Sequence, residues 1–374
     1  MSSTSLSNTV TRILTRSQIA PLISMADAMT SVTGALGGYE RGESIMPPKV
    51  YLEGGGSSGF LGDFRAMPAL LSPHLAGIKW INSHPHNPTT HGLPSVRGTL
   101  MLSCPQTARL LAVMDATYIT AMRTGAAAGV ATATCALGES TGTATSVAAL
   151  GRCKEASREG VAPLAGSPGD YRIAGFVGLG VQAPFALEAV VLAMRGLSDQ
   201  PIALAVYDAS EAAVAAFVAT VPADIAVFVA PDAATVAEAS DVLTTCTPSR
   251  TPVIPSGTVL KKGAVVNAIG ADAEGKQEFA SDLTKGCRIL LDDRAQAFHS
   301  GEVNVPLATG HITEADVAGT LGQAIAGGIA ARESPDDIVM FDSTGLALQD
   351  LAVAAAVLTK AEEMDVGVCI DLGE

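Results

Sequence analysis

Apolar residues at Ile19, Leu22, Ile23, Ala26 and Met29 follow the three-and-four spacing of one helix face, predicting a helix from Ser17 to about Arg41. The pattern then shortens. Lys49-Val50-Tyr51-Leu52, Gly77 to Asn82 and Gly98 to Ser103 are brief apolar runs bounded by Gly, Pro and Asn, as expected of strands in an antiparallel or mixed sheet. A Gly-rich stretch from Glu53 to Gly62 reads as loop, and Ala116 to Leu137 reads as a helix leading into a second domain. From about Arg172 apolar runs alternate with helical stretches: helix at Ala212–Val218, strand at Ile225–Val229, helix at Ala233–Ala239, strand at Asp241–Thr245, then strands within Gly263–Gly270 and Arg288–Leu291. That alternation implies a doubly wound parallel sheet. Ile338–Phe341 and a helix from Ala347 to Glu363 are expected to return to the first domain. The reading is therefore α/β with two domains: residues 1–135 with 335–374, and residues 136–334. Gly138 to Asp170, rich in Gly, Ser, Ala and Thr, reads as a partly mobile insertion or surface excursion before the first parallel strand.

Between two of these apolar runs lies Val177-Gly178-Leu179-Gly180-Val181-Gln182-Ala183. With a strand before it and a helix after it, this is a dinucleotide-binding fingerprint of the Rossmann type. Gly178 permits the tight turn, Gly180 lets the backbone approach a pyrophosphate, and Ala183 allows close helix–strand packing. The phosphates belong at the helix N-terminus. Asp208 ends the next apolar run, where a carboxylate accepts from a ribose diol and repels a 2′-phosphate, so NAD is expected over NADP.

Composition removes several classes. A formal net charge of -14 opposes binding to nucleic acid or an anionic membrane, and 4% aromatic content leaves little for stacking on bases. Any anionic substrate must meet cations placed locally. The six cysteines show no C-x-x-C pair, and the His84, His86 and His91 segment reads as a polar loop rather than a ligand set, so no metal is expected. Met1 to Thr15 lacks a signal-peptide core, and no run of about 18 apolar residues exists, pointing to a cytoplasmic protein without membrane contact.

Lys49, Arg65, Lys79 and Arg123 stand at edges of apolar runs in a chain with only 23 Lys and Arg. Arg123, inside an apolar and small-residue helix, needs a partner, and a substrate carboxylate is a candidate. Its neighbour Thr124 is a candidate cofactor contact. Asp272 follows a strand whose C-terminal end is where ligands bind in open α/β sheets, although an aspartate there equally suits a turn or cap. Thr245, Cys246 and Thr247 end another strand and are candidates for the nicotinamide or its ribose.

Taken together, these segments resemble the ornithine cyclodeaminase/mu-crystallin family over most of the chain. The matching pieces include Lys79-Trp80-Ile81-Asn82-Ser83-His84-Pro85, Thr120 to Ala127, Gly178 to Ala183, Asn267 to Asp272 and Phe341 to Gly345. The resemblance implies a dimerising substrate domain built from both chain ends, with an inserted NAD- or NADP-binding Rossmann domain. It implies Lys79 as catalytic lysine, Asp272 as the proton-handling carboxylate forming an acid/base pair with it, and Arg123 and Lys49 as holders of the substrate carboxylate. Gly62 to Pro68 looks more like the archaeal-type alanine dehydrogenases, with Arg65 as a further carboxylate contact where cyclodeaminases carry a glutamate. The implied activity is NAD-dependent dehydrogenation of an amino acid or reduction of an imine, with alanine and pyruvate the first pair. Ornithine cyclisation with catalytic NAD and a non-catalytic binding role are the alternatives.

Overall fold

The computed structural model describes residues 10–54, 62–71, 75–136, 144–156 and 170–372. The chain forms two compact units, Met1–Arg123 with Leu346–Glu374, and Thr124–Gly345. Their divisions fall within the helix Ala116–Cys135 and just before the helix Ala347–Glu363, not at residues 135 and 335.

The first unit holds an eight-stranded sheet. Its order is Val368–Asp371, Val10–Leu14, Leu110–Asp115, Val96–Ser103, Leu75–Ser83, Asp63–Leu71 and Ser44–Ile45, with Val50–Glu53 also paired to Asp63–Leu71. Val10–Leu14 and Leu110–Asp115 run parallel and the other pairs antiparallel, so the sheet is mixed. Side chains alternate between faces with period two. The register puts Lys79 opposite Met67 on one side and Leu100 on the other. Met67, Ile81, Leu100, Leu102, Ala112 and Met114 are buried, and Lys79 shares their face. That face is covered by Ala347–Glu363, which also packs on the helix Met25–Glu40. Gly77 allows this approach: a Cβ there would lie 3.2 Å from Leu351 Cδ2.

Ser24 starts Met25–Glu40 with a reciprocal capping box, its hydroxyl accepting from Asp27 N while the Asp27 carboxylate accepts from Ser24 N. No single helix among the described residues is long and apolar enough to cross a membrane. The bent pair Arg16–Leu22 and Met25–Glu40, apolar enough in composition, turns by 87° and buries Ile19, Leu22, Met25, Ala28 and Val32 within its own unit.

The second unit is a nine-stranded sheet ordered Val317–Thr320, Arg288–Leu291, Val339–Asp342, Val265–Ala268, Val242–Thr245, Arg172–Val177, Ile202–Tyr207, Ala226–Val229 and Lys154–Glu155. Every neighbour is parallel except the short Lys154–Glu155 edge. Apolar clusters line it, one around Val236, Val266 and Met340 and another around Phe176, Val190 and Leu290. Two expectations are corrected here. Val339–Asp342 does not return to the first unit; it is wholly buried between two parallel strands, where a continuous apolar run belongs. Nor is the stretch after Gly138 simply an excursion. Its helix Ala144–Gly151 packs on Ala233–Ala239 and Lys154–Glu155 pairs with Ala226–Val229, while residues 137–143 and 157–169 lie outside the described residues.

Within this unit Ala116–Cys135 lies close against the helix Ala183–Leu197, because Gly125 and Gly129 leave no side chain in the way. A Cβ at Gly125 would sit 2.5 Å from the Phe185 carbonyl, and one at Gly129 would sit 2.8 Å from Ala189. Gly34, in Met25–Glu40, has nothing within 4 Å of its Cβ position. Gly125→Ala should therefore destabilise by about 1–3 kcal/mol through overpacking. Gly34→Ala should stabilise by about 0.5–1 kcal/mol through helix propensity alone. Thermal melts of the two variants check both directions.

Candidate functional site

Lys79 is the largest fully buried side chain among the described residues of the first unit, 1% exposed on a central strand. An ammonium there requires a partner, and the partner is Asp350, in the first turn of Ala347–Glu363 and itself wholly buried. Lys79 Nζ donates to Asp350 Oδ2 at 2.5 Å and reaches Thr120 Oγ1 at 3.4 Å. Arg123 Nε donates to the other carboxylate oxygen at 3.1 Å, and its Nη1 to Gln349 Oε1 at 3.4 Å. Two buried cations thus share one carboxylate, leaving a local positive charge that Lys49 reinforces electrostatically. Burial pulls the Lys79 pKa down from 10.5 to about 7, aided by the charges of Arg123 and Lys49 and opposed by Asp350.

The partner that Arg123 needs inside its apolar helix is supplied within the chain by Asp350. Asp350, Thr120 and Gln349 were missed. The signal was available, since Asp350 is a lone acid in Ala347-Leu348-Gln349-Asp350-Leu351-Ala352-Val353, the same anomaly that singled out Arg123. Asp272, the other member of the expected acid/base pair, belongs to the second unit, and Lys79 to the first. Asp272, partly buried after Val265–Ala268, is bridged by Lys276, four residues further along the connecting turn. Arg65 is forked onto Asp63, with Nε to Oδ1 at 2.9 Å and Nη2 to Oδ2 at 2.8 Å, and it lies over the Tyr51 ring. Its charge is largely spent on Asp63, two residues away on the same strand face.

In the second unit the strand Arg172–Val177 runs into Gly178, whose φ of 83° needs glycine. A Cβ at Gly178 would also strike Thr247 and the Cys246 carbonyl at 2.7 and 2.9 Å. Gly180 faces open space, Val181 is exposed, and Ala183, fully buried, begins Ala183–Leu197. Asp208 Oδ2 accepts from Leu179 N at 2.7 Å and Oδ1 from Ser210 N at 2.8 Å, tying the second strand end to the fingerprint turn. A cavity of about 900 Å³ opens beside Asp208, lined largely by small apolar residues such as Ala209, Val214 and Ala230. Thr124 is buried and precedes Gly125, whose Cβ position meets Phe185 in the first turn of the fingerprint helix. The Gly178 turn, Asp208 and Thr245–Thr247 therefore meet at one edge of the sheet. Gln182 Oε1 is buried there with no hydrogen-bond donor among the described residues. The Cys246 thiol is pushed well up by burial, then by Glu278, which removes it as a nucleophile.

Beneath that edge lie four buried carboxylates that sequence reasoning did not notice, Glu278, Glu302, Asp292 and Asp342. Each accepts backbone N–H groups. Glu302 takes Glu278 N and Phe279 N, Asp342 takes Val303 N, and Asp292 takes Gly345 N. Burial, with Asp292 nearby, raises Asp342 from 3.8 to about 8, and burial raises Glu278 and Glu302 as well. The folded chain thus keeps a proton on Asp342 that an unfolded aspartate releases near 3.8, so its contribution to stability is lost as pH rises towards 8. Lys79 acts with the opposite sign in a later window: stability rises between about 7 and 10.5, where only the unfolded lysine still holds its proton. The melting temperature should fall from mildly acidic pH towards 8. Asp342→Asn should make that decline shallower in calorimetric scans across the same range, and an unchanged slope would remove Asp342 as its source.

Comparison with known proteins places this geometry. The profile of the ornithine cyclodeaminase/mu-crystallin family matches residues 9–157 and 145–365. An alanine dehydrogenase from Archaeoglobus fulgidus is 42% identical over 357 residues, spanning 96% of this chain and 97% of that protein. Among solved structures, an archaeal alanine dehydrogenase dimer with bound NAD superposes with a TM-score of 0.81 at 41% identity, covering 97% of this chain and 99% of the other. The Delta(1)-pyrroline-2-carboxylate reductase of Thermococcus litoralis, in complex with NADH and L-proline, gives 0.79 at 28% identity, covering 96% and 100%. The chain belongs to the ornithine cyclodeaminase/mu-crystallin family.

Proposed function

We propose that this protein is an NAD-dependent oxidoreductase of the carbon–nitrogen bond, interconverting a small L-amino acid with its imino or 2-oxo acid, alanine and pyruvate first. The observation that carries the reading is Lys79: a buried lysine with a pKa near 7, held by Asp350 and surrounded by net positive charge. A group that titrates near neutrality can take a proton from a substrate ammonium in one direction and return it to an imine nitrogen in the other. The 42% identity to an alanine dehydrogenase supports the substrate class.

NAD fits the second unit. The open Cβ side of Gly180 and the N-terminus of Ala183–Leu197 suit a pyrophosphate, Asp208 retains acceptor capacity for a ribose diol, and Gln182 Oε1 awaits a donor. The apolar cavity beside Asp208 gives a purine room. Bound NAD would supply the hydride acceptor, or as NADH the donor. Thr124, Val181 and Thr245–Thr247 are assigned to the same cofactor. Arg123 and Lys49 hold the substrate carboxylate, Arg65 acts on it only in company with Asp63, and Asp272 is the second proton-handling group. Oxidation leaves an imino acid, and water addition with loss of ammonium gives the oxo acid. A homodimer and a cytoplasmic setting complete the proposal.

Purified protein with NADH, ammonia and a panel of 2-oxo acids should consume NADH, and with ornithine and NAD should release no proline. Proline and ammonia without net NADH change would instead identify a cyclodeaminase. Lys79→Met should lower kcat by a factor of roughly 10² to 10⁴. In the deaminating direction kcat/KM should fall below a pH of about 7, where Lys79 is protonated, and in the aminating direction it should fall above it. Limbs of the same sense in both directions would exclude Lys79 as the proton carrier.

A further inference from the structure

Among the four buried acids named beneath the sheet edge of the second unit, Glu278 differs from the others in what it grips. Its side chain is wholly buried, and its carboxylate accepts three hydrogen bonds from two neighbouring strand ends. Thr247 N donates to Oε1 at 2.6 Å, while Thr245 Oγ1 and Gly270 N donate to Oε2 at 2.7 and 2.9 Å. Its own backbone N–H is held by Glu302. The loops it joins follow the strands Val242–Thr245 and Val265–Ala268 and touch directly: a Cβ at Gly270 would fall 2.2 Å from Thr247 O.

The order of the sheet says which part of a dinucleotide lies over these loops. The fingerprint strand Arg172–Val177 has Ile202–Tyr207, ending at Asp208, on one side and Val242–Thr245 on the other. A pyrophosphate on the fingerprint helix with its adenosine ribose on Asp208 must send its other half the opposite way, over Thr245–Thr247 and Gly270.

We propose that Glu278 is a positioning residue for the nicotinamide half of the cofactor, clamping the Thr245–Thr247 and Ile269–Gly270 loops in one fixed relation; this rests on the NAD reading above. Ligand contact falls to the loops, and Glu278 acts through them. Three donors converging on two oxygens demand an acceptor-only group. A glutamine cannot replace it. Whichever way its amide turns, an NH2 faces the N–H of Thr247 or Gly270, leaving one backbone donor without an acceptor.

The test compares two ligands by calorimetric titration, NAD and ADP, which keeps the adenosine and pyrophosphate but lacks the nicotinamide and its ribose. Glu278→Gln should weaken NAD by roughly tenfold or more, the usual effect of an unsatisfied buried donor. ADP should stay within about twofold of wild type, well under the 1.4 kcal/mol of a tenfold change. Amide hydrogen exchange at Thr247 and Gly270 should quicken. Equal weakening of both ligands would reduce Glu278 to a general structural role and overturn the proposal, as would unchanged NAD affinity. Should Glu278→Gln fail to fold, Glu278→Asp, which keeps an acceptor-only group but shortens its reach to the two loops, carries the same comparison and should weaken NAD selectively. Wild-type protein that binds neither ligand would refute the NAD reading itself, a result distinct from a selective or an equal loss in the variant.

Discussion

The burial of the Lys79 ammonium against Asp350 is the constraint around which the first unit is arranged. A lysine facing the apolar side of a central strand is intolerable alone, and removing one partner of such a pair typically costs about 3–5 kcal/mol. The compensating carboxylate comes from a helix 271 residues further along the chain. That explains why the first unit needs both ends of the sequence: Ala347–Glu363 covers the sheet and also brings the only carboxylate that Lys79 and Arg123 contact among the described residues. The same pair sets the chemistry. Burial alone would drive Lys79 to the neutral amine and a carboxylate alone would keep it charged; the competition leaves it near 7, where it can move a proton either way.

The second unit answers a different problem with the same residue type. Parallel strands end at one edge in loops whose backbone N–H groups lack ladder partners, and buried carboxylates supply the acceptors there. Glu278, Glu302, Asp342 and Asp292 each bind N–H groups from a neighbouring loop. The burial that raises the affinity of Glu278, Glu302 and Asp342 for protons is the cost of holding that edge rigid, and rigidity there is what a cofactor site requires.

Much of this was readable before any coordinates. The Gly178 to Ala183 turn, Asp208 and the helix Ala347–Glu363 carry local signals, being a turn that only glycine can make, an acid at a strand end and a periodic apolar stripe. Lys79 and Arg123 stood out as charges in apolar runs. What failed was pairing. Arg65 and Asp63 stand two residues apart on a strand, which puts them on one face, yet nothing local says they choose each other over a substrate. Ile338–Phe341 is too short to show a period, and its place between Val265–Ala268 and Arg288–Leu291 is decided by which neighbours bury it. Asp350 obeys the same rule as Arg123, but the two lie 227 residues apart and nothing local joins them.

The central claim is that Lys79 sits near neutrality because burial and Asp350 oppose each other. Carbon-13 NMR of lysine labelled at Cε, with Lys79→Met for assignment, measures this directly. The account predicts a Lys79 titration near 7 in the wild type and a lower one in Asp350→Asn, where the charge that favours the ammonium is gone. A Lys79 that titrates near 10.5, or that ignores the loss of Asp350, would contradict it.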